Sequence, residues 1–224
     1  MEHESIDEVI RDIEAQMVHI KEPLFTSKAY PDPDWYLNAQ LHVMSQNWDT
    51  YAEGYKRAGD ILVKYVIDNK CDQDFLIYPI VFSYRQYLEL RLKELITVSS
   101  SLLDQNIDVS TSHDLMSLWG KVRPSIEKVW PHSQTKSYLD AVRDRIKELC
   151  SVDPGSYAFR YPEDTRGEPT LTGVQHINLK HLRNVVQAIS NVVDSSSMGM
   201  GEYLNAKHEM MSEYQGEMHE EYPE

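Results

Sequence analysis

The chain has 224 residues, 41% hydrophobic and 26% charged, enough for one large domain with its own core and too apolar for a disordered chain. No run of eighteen apolar residues occurs, and the acidic start MEHESIDEVIRDIE lacks the basic and apolar regions of a secretory signal, so a cytoplasmic protein with no membrane span is expected. The formal net charge is -14 and sits mainly at the ends: residues 1–34 hold nine acids and three bases, residues 201–224 seven acids and one base. The body between them is nearly neutral, without a dense Lys/Arg block, which disfavours broad nucleic-acid binding but allows a small basic pocket.

In chain order, Ser5 and Glu8 form a capping box, and Ile6, Ile10, Ile13, Met17 and Ile20 then recur at spacings of three and four. This predicts an amphipathic helix over 5–21, followed by a linker from Pro23, so that residues 1–32 form an appendage. Its apolar stripe serves either its own body or a partner helix. Asp32 before Pro33 reads as a cap with proline at the first helical position. The stripe of Leu37, Leu41, Met44, Trp48, Tyr51, Tyr55, Ala58, Leu62 and Tyr65 then predicts one long helix, or two nearly collinear ones, to about Asp68. A second long helix is predicted from about Asp74 to Val98, lined by Phe75, Ile77, Tyr78, Val81, Tyr84, Leu88, Leu92 and Leu95, with a kink at Pro79 in its first turn.

After the polar connector SSSLLDQNIDVSTS, Thr111 or Ser112 is expected to start a short helix, HDLMSLWGKV. Residues 134–149 predict a charged amphipathic helix carried by Tyr138, Val142, Ile146 and Leu149. The alternation of Tyr157, Phe159 and Tyr161 with Ala158 and Arg160 has period two, and with Gly167 it suggests a small β-hairpin or extended loop near 157–172. Asn178 is expected to cap a last helix along Leu179, Leu182, Val186, Ile189 and Val193, which SSSMGMG should break. Residues 196–224 then read as an acidic tail, disordered in isolation. Its Met and Tyr residues are anchors of the kind that order on a basic partner. The fold class is therefore all-α: a helical bundle of four to six helices, two of them long, over residues 33–195.

No phosphate loop, dinucleotide fingerprint, HExxH, GxSxG or CxxC occurs, and no histidines pair at i,i+4, so neither a cofactor nor a metal site is expected. Cys71 and Cys150 are too few for a disulfide framework. Three polar groups remain as candidate site residues. Arg85, Glu89 and Lys93 follow one another at i,i+4, either as a solvated charge ladder or as a pair at the core edge that orients a neighbour. His113, beside Asp114, either begins a helix or serves as a proton carrier or hydrogen-bond partner of Glu89. Arg160, between aromatics, either packs its planar head on a ring or recognises an anion.

Taken together, WDTYAEGYKRAGDIL, VFSYRQYLELRLKELI, the polar loop, SHDLMSLW and the closing amphipathic helix resemble the HEPN superfamily of prokaryotic helical bundles, over about residues 45–195. The most specific elements are the Tyr84–Lys93 helix and the His113-Asp114-Leu115 step. The resemblance implies a dimer-prone bundle in toxin–antitoxin or anti-phage defence, where many members are metal-independent ribonucleases. Active members carry an arginine, four to six residues, then a histidine, which together move the 2′-hydroxyl proton and stabilise charge on phosphorus.

No arginine here has that spacing: seven residues separate Arg11 from His19, eight separate Arg123 from His132, and nine separate Arg166 from His176. Pro124 and Pro131 are also expected to break the Arg123–His132 segment. The expectation is thus an interaction or accessory protein, non-catalytic alone, with a protein partner or a homodimer. The alternatives are an endoribonuclease whose composite site draws on Arg85, Glu89, His113 and Arg160, and a small-anion binder at Arg160.

Overall fold

A computed structural model describes Arg11, residues 23–41, 47–109 and 111–221, with residues 215–221 described by backbone alone. The chain divides into two units, Met1–Met44 and Ser45–Glu224. The helix expected over 5–21 lies outside the described residues, apart from Arg11, which is helical. In the first unit Asn38 clamps the linker through both ends of its amide, accepting from Lys28 N at 3.0 Å and donating to Lys28 O at 2.7 Å. Tyr30 meets Trp35 edge to face.

The second unit is all-helical, with five α-helices among the described residues: α1 (Trp48–Asn69), α2 (Gln73–Leu102), α3 (Leu115–Val129), α4 (Ser133–Val152) and α5 (Leu179–Glu221). The helix expected from Pro33 onward instead begins at Trp48; among the described residues of 33–47 the one helical element is a 3-10 turn over Trp35–Leu37. The reason is local. Asn47 is extended and its side chain accepts from Thr50 N at 3.0 Å, a stronger start signal than Asp32, whose carboxylate turns back onto Asp34 N. A left-handed Lys70, whose N–H closes on Val66 O, ends α1.

The central element is α2, which packs against α1, α3 and α5. It runs unbroken through Pro79, which falls in its second turn, and extends to Leu102. Tyr84, Tyr87, Leu88, Leu92, Leu95 and Ile96 are buried, whereas Phe75 and Tyr78 of the predicted stripe are exposed. Gly59 of α1 permits a close approach to α2: a Cβ there would lie 2.6 Å from the ring of Tyr84. Asp114 caps α3, accepting from Met116 N at 2.9 Å, two residues after Ser112 and three after Thr111, the two expected starts. α3 continues through Pro124, because Val122, Ser125 and Ile126 bury that face on the core, and it stops before Pro131. In α4 the buried residues are Leu139, Val142 and Ile146, while Tyr138 points outward.

Of the two forms expected for 157–172, hairpin or extended loop, the segment takes the loop: it forms no strand, only an isolated bridge between Glu163 and Pro169. Pro162 and Pro169 lack the N–H groups a ladder needs. The bend is closed instead by Asp164, whose carboxylate accepts from Arg166 N and Glu168 N around a left-handed Gly167. One expectation is corrected: SSSMGMG does not end the last helix, and residues 196–221 are helical rather than a disordered tail, since α5 runs on to Glu221. Ser196, Ser197 and Met200 are buried, Gly199 lies against Trp130, and Tyr203 packs on the same indole at 6.1 Å. Lys207 then donates to the carbonyls of Ser101 and Leu102 and pairs with Asp104, satisfying the C-terminal end of α2. The run thus docks rather than breaks.

Candidate functional site

Three of the four predicted site residues meet at one place on α2. Arg85 and Glu89, one turn apart, are both removed from solvent. Arg85 Nη1 lies 3.5 Å from Glu89 Oε2, and Nε lies 3.4 Å from Asp153 Oδ2 at the end of α4. Its Nη2 donates to the carbonyl of His113 at 3.0 Å, and its Nε faces the carbonyl of Asp153 at 3.4 Å. A single guanidinium therefore ties α2 to the start of α3 and the end of α4. Asp153 extends the tie, because its Oδ1 accepts from Tyr157 N and Ala158 N and so holds the first turn of the loop that follows.

Glu89 uses its other oxygen outward. Oε1 accepts from Lys93 Nζ at 2.8 Å and lies 2.8 Å from His113 Nδ1. The glutamate side chain is 1% exposed and the histidine 69%, so a buried carboxylate holds a surface imidazole by one nitrogen. Burial by itself pushes the Glu89 carboxyl up, but the hydrogen bonds and charges of Lys93 and His113 outweigh it and hold Glu89 below the usual carboxylate range. Lys93 also sits over the Trp48 ring at 5.8 Å. The arrangement fixes the orientation of His113 and turns Nε2 away from Glu89, as required of a general base or acid.

Arg160 does not join this group. Its Nε donates to Ser156 O, and its guanidinium lies 5.5 Å from the ring centroids of both Phe82 and Tyr161, the aromatic packing that was one of its two expected roles.

A second polar network on α2 escaped the sequence reading. Arg91 bonds Asp49 of α1 at 2.7 Å, pairs with Glu94, and has Nε 2.7 Å from Asp194 of α5, although that N–H is not aimed at the carboxylate. Tyr87 donates to Asp194 at 2.9 Å and Ser197 to Glu94 at 2.9 Å. Burial raises the Glu94 carboxyl, and the opposing pull of Arg91 does not fully offset it. The Arg91–Glu94 spacing of three was its only signal in the sequence, and Asp49 and Asp194 are too distant along the chain to be linked to it.

Among the described residues no group of three or more His, Cys, Asp or Glu side chains is placed to hold a metal ion. None of the helices is long and apolar enough to cross a membrane, among the described residues. No family model, curated protein or solved structure matches the chain.

Proposed function

We propose that this chain is a HEPN-like interaction or accessory module of a prokaryotic defence or toxin–antitoxin system, and that it does not cut RNA alone. The observation that carries this reading is the burial of Arg85. Phosphodiester cleavage needs a cation free to meet charge developing on phosphorus. The two cations joined to Glu89 are committed: Arg85 is 0% exposed and spent on Glu89, Asp153 and backbone carbonyls, and Lys93 is buried against Glu89 and Trp48. The network braces α2, α3 and α4 and presents His113 on the resulting surface. The test is RNA cleavage by the purified chain in EDTA: none is expected, and a stable complex should form with the protein product of a neighbouring gene. Cleavage that disappears in His113→Ala would overturn the reading.

The second reading, a metal-independent endoribonuclease with a composite site, is favoured by one specific observation, the 2.8 Å contact between Glu89 and His113 Nδ1. There His113 is the base and a partner or a second copy brings the missing arginine to the scissile phosphate. Products with 2′,3′-cyclic phosphate ends, formed only in the complex and resistant to EDTA, would establish it over the first.

A further inference from the structure

A cavity that neither Glu89 nor His113 lines opens beside α2. It has a volume of ≈ 360 Å³ and is enclosed by α2, α4, the 153–178 loop and the first turns of α5. Its interior is apolar: Val81 and Leu88 of α2, Phe159 of the loop, and Val186 and Ile189 of α5 are buried side chains on its wall. Apart from buried Tyr84, whose hydroxyl donates to Asp60, the polar lining residues are exposed ones, Arg145, Glu148, His176, Asn178 and His181, so they form the mouth. That size and division, an apolar interior with a few polar groups to one side, is the usual build of a small-molecule site.

The mouth sets the charge of the occupant. Arg145 and the two imidazoles supply N–H donors against the single carboxylate of Glu148, which Arg145 already binds at 2.8 Å. The first turn of α5 opens at the same place, with Asn178 Oδ1 accepting His181 N, and adds its partial positive charge. In a chain of net charge -14 this rim is locally rich in donors. An uncharged apolar guest would leave these donors unused, and an ammonium would find the rim's one carboxylate, Glu148, already held by Arg145.

We propose that the cavity binds a medium-chain aliphatic monocarboxylate. The hydrocarbon chain lies between Leu88, Phe159 and Val186, and the carboxylate stays at the mouth among His176, His181 and the start of α5. The inference is independent of the function proposed above. Binding would also link the 153–178 loop to α5, since the guest touches both.

Calorimetric titration of the full chain with decanoate, decanol and decylamine, all below their micelle concentrations, tests it. Decanoate is expected to bind saturably with one site and to bind at least tenfold more tightly than decylamine. Val185→Trp, which fills the cavity from its half-buried edge, should lose at least tenfold in decanoate affinity. His176→Ala with His181→Ala should erase the preference for the acid while both still bind. Methyl resonances of Leu88 and Leu182 should shift with decanoate, a readout that holds even if Val185→Trp does not fold. Absence of saturable binding, equal affinity for the amine, undiminished binding to folded Val185→Trp, or shifts confined to the exposed Met210–Tyr214 region would each overturn the proposal.

Discussion

Glu89 and His113 lie on different elements, 24 positions apart, yet a carboxylate that is 1% exposed meets the imidazole of a residue that is 69% exposed at 2.8 Å. The asymmetry separates stability from function at this pair. Lys93, Arg85 and His113 share the carboxylate of Glu89, so Glu89→Gln removes the counter-charge of buried Lys93 and leaves buried Arg85 with Asp153. That substitution should cost about 3–5 kcal/mol. His113→Ala removes a solvent-facing ring and should cost less than about 1 kcal/mol. Urea denaturation of the two variants measures both, and equal losses would show that the imidazole is part of the core.

The pH dependence of stability follows from two carboxylates displaced in opposite directions. Glu89 is held below its ordinary value, so its contribution is complete above the unfolded carboxyl pKa, about 4.3, and is lost as pH falls through the folded value. Glu94 is raised, so its contribution is present below the unfolded value and is lost as pH rises through the folded one. Between pH 3 and 6, Glu89→Gln should therefore flatten the rise of stability with pH, and Glu94→Gln should steepen it. Chemical denaturation across that range reads the two slopes, and a common sign for both variants would contradict the assignment.

Two glycines in α5 give a paired test of how its second half docks. Helical Gly→Ala normally stabilises by about 1 kcal/mol. At Gly201 a Cβ meets nothing within 4 Å, so Gly201→Ala should show that gain. At Gly199 the new Cβ would lie 2.9 Å from Cζ2 of Trp130, a rigid ring with Tyr203 on it, so Gly199→Ala should destabilise by about 1–3 kcal/mol. Opposite signs are expected from thermal unfolding.

The remainder of α5 divides at Lys207. Truncation after Met211 keeps the Trp130–Tyr203 contact and the lysine on the carbonyls of Ser101 and Leu102, and should leave the melting temperature unchanged. Truncation after Met200 removes both and should cost about 1–2 kcal/mol. Lys207→Ala should speed amide exchange over residues 203–211 with less effect on global unfolding. A full-length tail that exchanges as fast as an unfolded peptide would refute the docking.

The sequence by itself determined the all-α class and the middle of each helix, but not the start of α1 or the end of α5. Apolar residues at spacings of three and four mark α1, α4 and α5 because each has one face on the core, and the cap at Asn178 is a local hydrogen bond that needs no distant partner. It also placed Arg85, Glu89 and Lys93 on one face of α2 and put His113 beside Glu89 as one option. The tertiary structure decided whether that face was wet. Because α2 is covered by α1, α3 and α5, its charges lie between helices rather than in water, and a spacing that also fits a solvated ladder became a buried network. The same holds for Asp153, Arg91 with Asp194, and the SSSMGMG run: each has its partner more than sixty residues away. Local propensity has no information about a counter-charge or an indole ring supplied from that distance, and burial then reverses the preference that propensity alone would set.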